Sequence, residues 1–252
     1  MTMEPEVTFI LHEAFIQPPP AHIVFVHGAL DASMAYRKVV MQLPSYNTTV
    51  YDRRGYGASV ALGATTNLDR HVEDLRSLIG DEPAVVIGHS FGGLVSQLFA
   101  TAHPELVSAL GLYESPVPGW AETPENGEDE MFPSLDDPTA LVAWFYERYG
   151  DTAWAEVRPA AQRALEAAGP ALAADVSAAR SFDGTYDPSE LSVPTIVAHG
   201  ENGSLRQVAR AERLAEVIPG AQLMVVPEAG HPCHRTHPNA FVAFVEATVA
   251  LG

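Results

Sequence analysis

A doubly wound, mostly parallel α/β sheet with one helical insertion is the fold class this chain predicts, on three observations. Short continuous apolar runs alternate with helical patterns, as in parallel sheets covered by helices on both faces. The 252 residues are 47% hydrophobic, enough to fill the core of one large α/β domain. Several apolar runs end in glycine-rich or polar segments, where open α/β sheets carry their ligand chemistry.

Taken in order, strands are expected at Val7–Leu11, His22–Val26, Thr48–Tyr51, Ala84–Ile87, Ala109–Tyr113, Thr195–Ala198 and Gln222–Val226. Pro18-Pro19-Pro20 marks a connection before the second run, so any leading hairpin is abbreviated. Helical patterns fill Ala32–Leu43, Leu68–Ile79, Leu94–Ala102, Leu205–Ile218 and Pro238–Leu251. The alternation breaks between Pro116 and Glu190, where helices are expected at Thr139–Tyr149, Thr152–Ala168 and Ala171–Arg180. That stretch holds all three tryptophans, with 15 acidic and 4 basic residues. It reads as a helical cap, residues 116–190, inserted into a core of residues 1–115 and 191–252. Most of its aromatic side chains are expected to pack cap against sheet, and a minority to face a pocket.

Charge and composition narrow the partners. A formal charge of −18 argues against nucleic acid or an anionic membrane, because both need basic patches. Met1 to Glu6 carries two acids and no basic segment, so no signal peptide is expected, and no apolar run reaches membrane-spanning length. The single cysteine, Cys233, fits a reducing compartment. A cytoplasmic protein acting on a small molecule is the expectation.

Chemistry concentrates after the strands. His27-Gly28-Ala29 follows the second, Asp52-Arg53-Arg54-Gly55-Tyr56-Gly57 the third, Glu114 the fifth and His231 the last. After the fourth comes Gly88-His89-Ser90-Phe91-Gly92, a G-x-S-x-G segment between a buried strand and a helix. Such a nucleophile elbow strains the serine backbone and exposes its hydroxyl, and the flanking glycines keep side chains clear.

In four motifs the chain resembles the α/β-hydrolases, over nearly its whole length outside the insertion. These are Val26-His27-Gly28, Asp52 through Gly57, Gly88 through Gly93, and Gly230-His231 followed by His237-Pro238. The resemblance is to the serine-nucleophile branch that hydrolyses esters and lactones. It implies that Ser90 attacks an acyl carbonyl and that His231 is its base, with His234 the nearby rival. It also implies an oxyanion hole built from the backbone N–H groups of Ala29 and Phe91.

The acid departs from the common pattern. The family usually places an aspartate three residues after the glycine ending the penultimate strand; here that position is Gly203. Some members carry the acid after the strand that follows the nucleophile helix, where this chain has Glu114. Glu201 is the other contender. A serine nucleophile forms an acyl-enzyme, so the expected substrate is a carboxylic ester or lactone. A C–C bond hydrolase, a cofactor-free perhydrolase and a receptor-like binding protein with vestigial catalysis remain alternatives. No nucleotide fingerprint and no metal-ligand spacing is present, so neither cofactor nor metal is expected. Among the other histidines, His27, His89 and His199 are expected to serve local backbone hydrogen bonds, His103 and His237 to be structural, and His12, His22 and His71 to lie at the surface.

Overall fold

The structure is a computed structural model that describes residues 6–120 and 133–252. Seven strands form one sheet: β1 (Phe9–His12), β2 (His22–Val26), β3 (Asn47–Tyr51), β4 (Ala84–His89), β5 (Val107–Tyr113), β6 (Thr195–Gly200) and β7 (Gln222–Val226). Their order is β1-β3-β2-β4-β5-β6-β7; β1 runs antiparallel to β3 and every other neighbouring pair is parallel. Nine α-helices lie among the described residues: α1 (Arg37–Val40), α2 (Leu68–Ile79), α3 (Phe91–Ala102), α4 (Pro138–Tyr149), α5 (Pro159–Ala167), α6 (Gly169–Arg180), α7 (Leu205–Val217), α8 (Cys233–Thr236) and α9 (Pro238–Val249).

Side chains alternate between the two faces of a strand, and the central strands divide their apolar residues accordingly. Val24 and Val26 of β2 join Val86 of β4 beneath α2, α3 and α7, through Leu75, Phe99 and Leu214. Ile23 and Phe25 join Val85 and Ile87 on the other face, against Val39 of α1 and Phe241 and Phe244 of α9. Both faces are covered, which is why these strands read as unbroken apolar runs. None of the described helices is long and apolar enough to cross a membrane.

Most expected boundaries shift by one to three residues, and three of the differences have a visible cause. β1 starts at Phe9 because Thr8 gives its amide to Ser59 Oγ (2.7 Å), and its exposed residues mark a sheet edge. The helix expected over Ala32–Leu43 is broken into a 3-10 turn, Ser33–Tyr36, and the four-residue α1. There the Ser33 amide is committed to Asp52 Oδ1 (2.7 Å). The helix expected over Thr152–Ala168 starts only at Pro159, since proline holds the preceding Arg158 in an extended conformation.

The chain order places the site. From β2 the chain steps outward to β3, then returns to β4 on the other side of β2 and continues to β7. The switch between these directions opens a crevice at the carboxyl ends of β2 and β4. The helices inserted between β5 and β6 sit over it: Leu141 and Val142 of α4 and Leu172 of α6 enclose Leu30 from the loop after β2.

Candidate active site

Ser90 follows β4 directly and caps the start of α3 with φ 51° and ψ −127°. A non-glycine residue there costs on the order of 1–3 kcal/mol and persists only where its surroundings enforce it. The Ser90 amide donates to Tyr113 O (2.9 Å), and its carbonyl accepts from Gly93 N (2.7 Å). Gly92 must lack a side chain, because a Cβ there would overlap the carbonyl oxygen of Val26. Helix α3 thereby presses onto the end of β2, bringing Ser90 beside the Gly28–Ala29 loop.

Glu114 also has a positive φ, 46°, and its amide donates to Ala198 O on β6 (2.9 Å). Its carboxylate is buried and fully engaged. Oε1 accepts from the Gly200 amide (2.9 Å), and Oε2 lies 2.6 Å from His231 Nδ1. A carboxylate only accepts, so Nδ1 carries the ring proton toward Glu114 and leaves Nε2 as the basic nitrogen of a neutral ring. Glu201 is elsewhere: its carboxylate accepts from the exposed Glu228 amide (2.9 Å). An ideal Cβ on Gly203 would stand 2.7 Å from Glu114 Oε1. The Glu114 carboxylate therefore fills the space that a side chain at 203 would need.

The loop carrying His231 is pinned from two strands. Tyr113 Oη donates to Gly230 O and His89 Nε2 to His231 O, both at 2.9 Å. The Gly28–Ala29 loop is pinned by Arg53, which donates to His27 O (2.9 Å) and Gly28 O (3.0 Å). The same guanidinium forms a buried bidentate pair with Asp175 of α6, at 2.9 and 2.7 Å. The next residue along this loop, Ala29, lines a cleft together with His231. Phe91 is the first residue of α3, so its N–H has no acceptor within the helix.

A cleft of about 380 Å³, partly open to solvent, is lined by His231, Ala29, Leu30, Phe145, Tyr149 and others. The aromatic residues of α4 that reach it are Phe145, Tyr146 and Tyr149; the Tyr149 ring is 5.1 Å from that of His231. One wall carries Asp31, His89 and His234, whose ligating atoms lie within 4.8 Å of one another. Burial pushes the His89 ring well below the usual histidine range, so it is held neutral. For Asp31, burial pushes upward but the neighbouring His234 outweighs it, keeping the carboxylate ionised.

Residues 23–244 match the model of the alpha/beta hydrolase family. The chain belongs to the α/β-hydrolase family. It is 32% identical over 145 residues to the lipase LipV of Mycobacterium tuberculosis, a match covering 56% of this chain and about half (54%) of that protein. It is 28% identical to the pimeloyl-[acyl-carrier protein] methyl ester esterase of Aeromonas hydrophila, covering 93% and 96% of the two chains. The enol-lactonase of Burkholderia xenovorans LB400 superposes with a TM-score of 0.79 at 18% identity, over 97% and 96% of the chains, which is likeness of fold.

Some polar contacts of this α/β-hydrolase lie outside the sequence reading. Gln207 is not among the residues expected from the sequence, yet its Nε2 sits 2.6 Å from His231 Nδ1. The readable signal was Ser204-x-x-Gln207 just after a strand end: these residues form a capping box at the start of α7. His71, expected at the surface, is buried edge-on against Phe91, with its pKa pushed down to about 3 by burial. His27 and His199 do bond local carbonyls, Gly28 O and Gly200 O, whereas the His89 bond spans 142 residues. The acids and histidines of the cleft wall come from three separate segments, so no spacing could announce them.

Proposed function

We propose that this α/β-hydrolase cleaves a carboxylic ester or lactone through an acyl-enzyme, with Ser90 as nucleophile, His231 as base and Glu114 as orienting acid. The observation that carries this reading is the 2.6 Å contact from His231 Nδ1 to a carboxylate whose other oxygen is fixed by Gly200. In this mechanism His231 Nε2 takes the Ser90 proton as Oγ bonds to the acyl carbon. The developing oxyanion is held by the Ala29 and Phe91 amides, each worth about 3 kcal/mol of transition-state stabilisation. Collapse breaks the acyl C–O bond, and His231 returns its proton to the leaving alkoxide. For a lactone that alkoxide stays tethered to the acyl group. Water, deprotonated by His231, then hydrolyses the acyl-enzyme and regenerates Ser90. Glu114 stays ionised throughout, holding the tautomer and stabilising the imidazolium. The described helices of the 116–190 insertion, of which residues 121–132 lie outside the described residues, act as a cap, with Phe145 and Tyr149 shaping the acyl pocket.

The relatives support this class of chemistry by name, as a lipase and a methyl ester esterase. The test is hydrolysis of short p-nitrophenyl esters and aliphatic lactones by the purified protein, with fluorophosphonate labelling and peptide mapping. Turnover with the label on Ser90 is the expected result. A label on another residue, or ordinary turnover in Ser90→Ala, sinks the assignment.

A further inference from the structure

We propose that Asp31, His89 and His234 form a binding site for a divalent transition-metal ion of zinc type, with its ligands distinct from Ser90, His231 and Glu114. The first observation is a concentration of unsatisfied atoms. His89 Nδ1 and His234 Nδ1 are buried without a hydrogen-bond partner among the described residues, and Asp31 Oδ2 and His234 Nε2 have only each other, at 2.8 Å. Buried polar atoms are rarely left without a partner, and two ring nitrogens beside a buried carboxylate call for an occupant.

The second observation is how the remaining atoms are tied. Asp31 Oδ1 accepts from the Ala32 amide (3.0 Å), leaving Oδ2 turned toward His234. His89 Nε2 is bonded to the carbonyl of His231, which can only accept, so the ring proton is on Nε2 and a lone pair remains on Nδ1. A histidine that gives one N–H to a backbone carbonyl, and a carboxylate anchored by one oxygen, are the outer partners that metal ligands usually have. His234 is stacked on Tyr36, with ring centroids 4.6 Å apart and planes 13° apart, which fixes its plane.

The third observation is the contact between His234 Nε2 and Asp31 Oδ2. They are 2.8 Å apart, yet the ring N–H axis misses the oxygen. Two atoms that approach without pointing at each other can both point at a third. Two nitrogens on one zinc are at most about 4.2 Å apart. The three ligand atoms already lie within 4.8 Å of one another, so a small side-chain rotation suffices. Two imidazoles and a carboxylate suit zinc, cobalt or nickel rather than calcium or magnesium. Asp31, His89 and His234 all line the cleft, from which a bound ion would take its further ligand. Asp31 lies two residues after Ala29, and His234 three after His231, so an ion here ties together the two loops and the nucleophile strand.

The test is metal binding itself, independent of ester hydrolysis. Metal-free protein is titrated calorimetrically with Zn2+, and with Co2+ followed by its visible absorption; melting temperature is read with and without Zn2+. We expect one ion per chain and a raised melting temperature. Asp31→Asn and His234→Ala should each weaken binding at least tenfold, while Ser90→Ala and the exposed-site control His12→Ala retain it. Circular dichroism of the metal-free variants verifies folding, and His89→Gln replaces any that fails. A wild-type chain with no stoichiometric site, its cluster filled by water alone, overturns the proposal. So does undiminished binding in the folded cluster variants.

Discussion

Two carboxylate–histidine pairs use histidines three residues apart, His231 in a loop and His234 in α8, and they match in distance but not in alignment. His231 and Glu114 are 2.6 Å apart and form an aligned hydrogen bond, with the second carboxylate oxygen taken by Gly200 N–H. His234 and Asp31 are 2.8 Å apart but off axis, with both ring nitrogens lacking an aligned bond. His231 stands at the cleft, whereas His234 is 1% exposed, between Tyr36 and His89. The difference teaches that proximity of an acid does not make a general base. A base also needs a committed tautomer and a second nitrogen free to meet a substrate-bearing nucleophile.

The comparison breaks most visibly at the histidines. His231→Ala and Ser90→Ala are expected to lower kcat for an ester substrate by about 10⁴-fold or more, since members of such a unit act together. His234→Ala is expected to cost less than about tenfold, because it removes packing near the cleft and no proton-transfer group. Steady-state kinetics on all three decides it. Equal losses at 231 and 234 would make the aligned bond irrelevant.

At the acids, the expected effect is smaller. Glu114→Gln keeps the shape but cannot hold His231 in the same tautomer, and kcat is expected to fall by roughly a hundredfold or more. Glu201→Gln, which alters only an exposed contact with the Glu228 amide, is expected to stay within about twofold. A larger loss for Glu201→Gln would return the acid to its usual loop.

The parts legible in sequence share one property: their signal is local. β2 and β7 occupy the residues their apolar runs suggest, and the elbow around Ser90 is spelled by contiguous glycines. Glu114 and His231 are placed by following a strand end. What was illegible depends on distant segments meeting. Arg53 and Asp175 are 122 residues apart, and His89 and His231 O are 142 apart, so neither bond leaves a pattern. The α1 region has helical periodicity, yet a side chain from the end of β3 claims its first amide. His71, expected at the surface, is buried against Phe91, a contact set by packing between helices rather than by local pattern.

A substitution at Gly203 tests whether the acid's place excludes its alternative. A side chain at Gly203 would meet Glu114 Oε1 at 2.7 Å. Gly203→Asp is therefore expected to push Glu114 off His231, lowering kcat by about tenfold and the melting temperature by a few degrees. Combined with Glu114→Ala, the new aspartate has room, and the double variant is expected to exceed Glu114→Ala alone in kcat. That non-additivity is the sign of shared space. Simple additivity of the two losses would mean the two positions do not compete.

The finest distinction between the pairs is their third neighbour. Only His231 has an amide beside its carboxylate: Gln207 Nε2, 2.6 Å from the same Nδ1 that faces Glu114. Gln207 also closes the capping box of α7, bonding the Ser204 amide through Oε1 (3.1 Å). Glutamate serves that box as well as glutamine, so Gln207→Glu preserves the helix start while replacing an N–H group at His231 with a second carboxylate. Extra negative charge there favours the imidazolium, and the base role proposed for His231 requires the neutral ring. The acid limb of kcat/KM is therefore expected to move to higher pH by about one unit, with little change in the pH-independent plateau. Activity near pH 6 should fall relative to pH 8, and the melting temperature should hold. If Gln207 matters only as a cap, the profile of Gln207→Glu overlays that of the wild type, and the amide has no part in setting the histidine's charge.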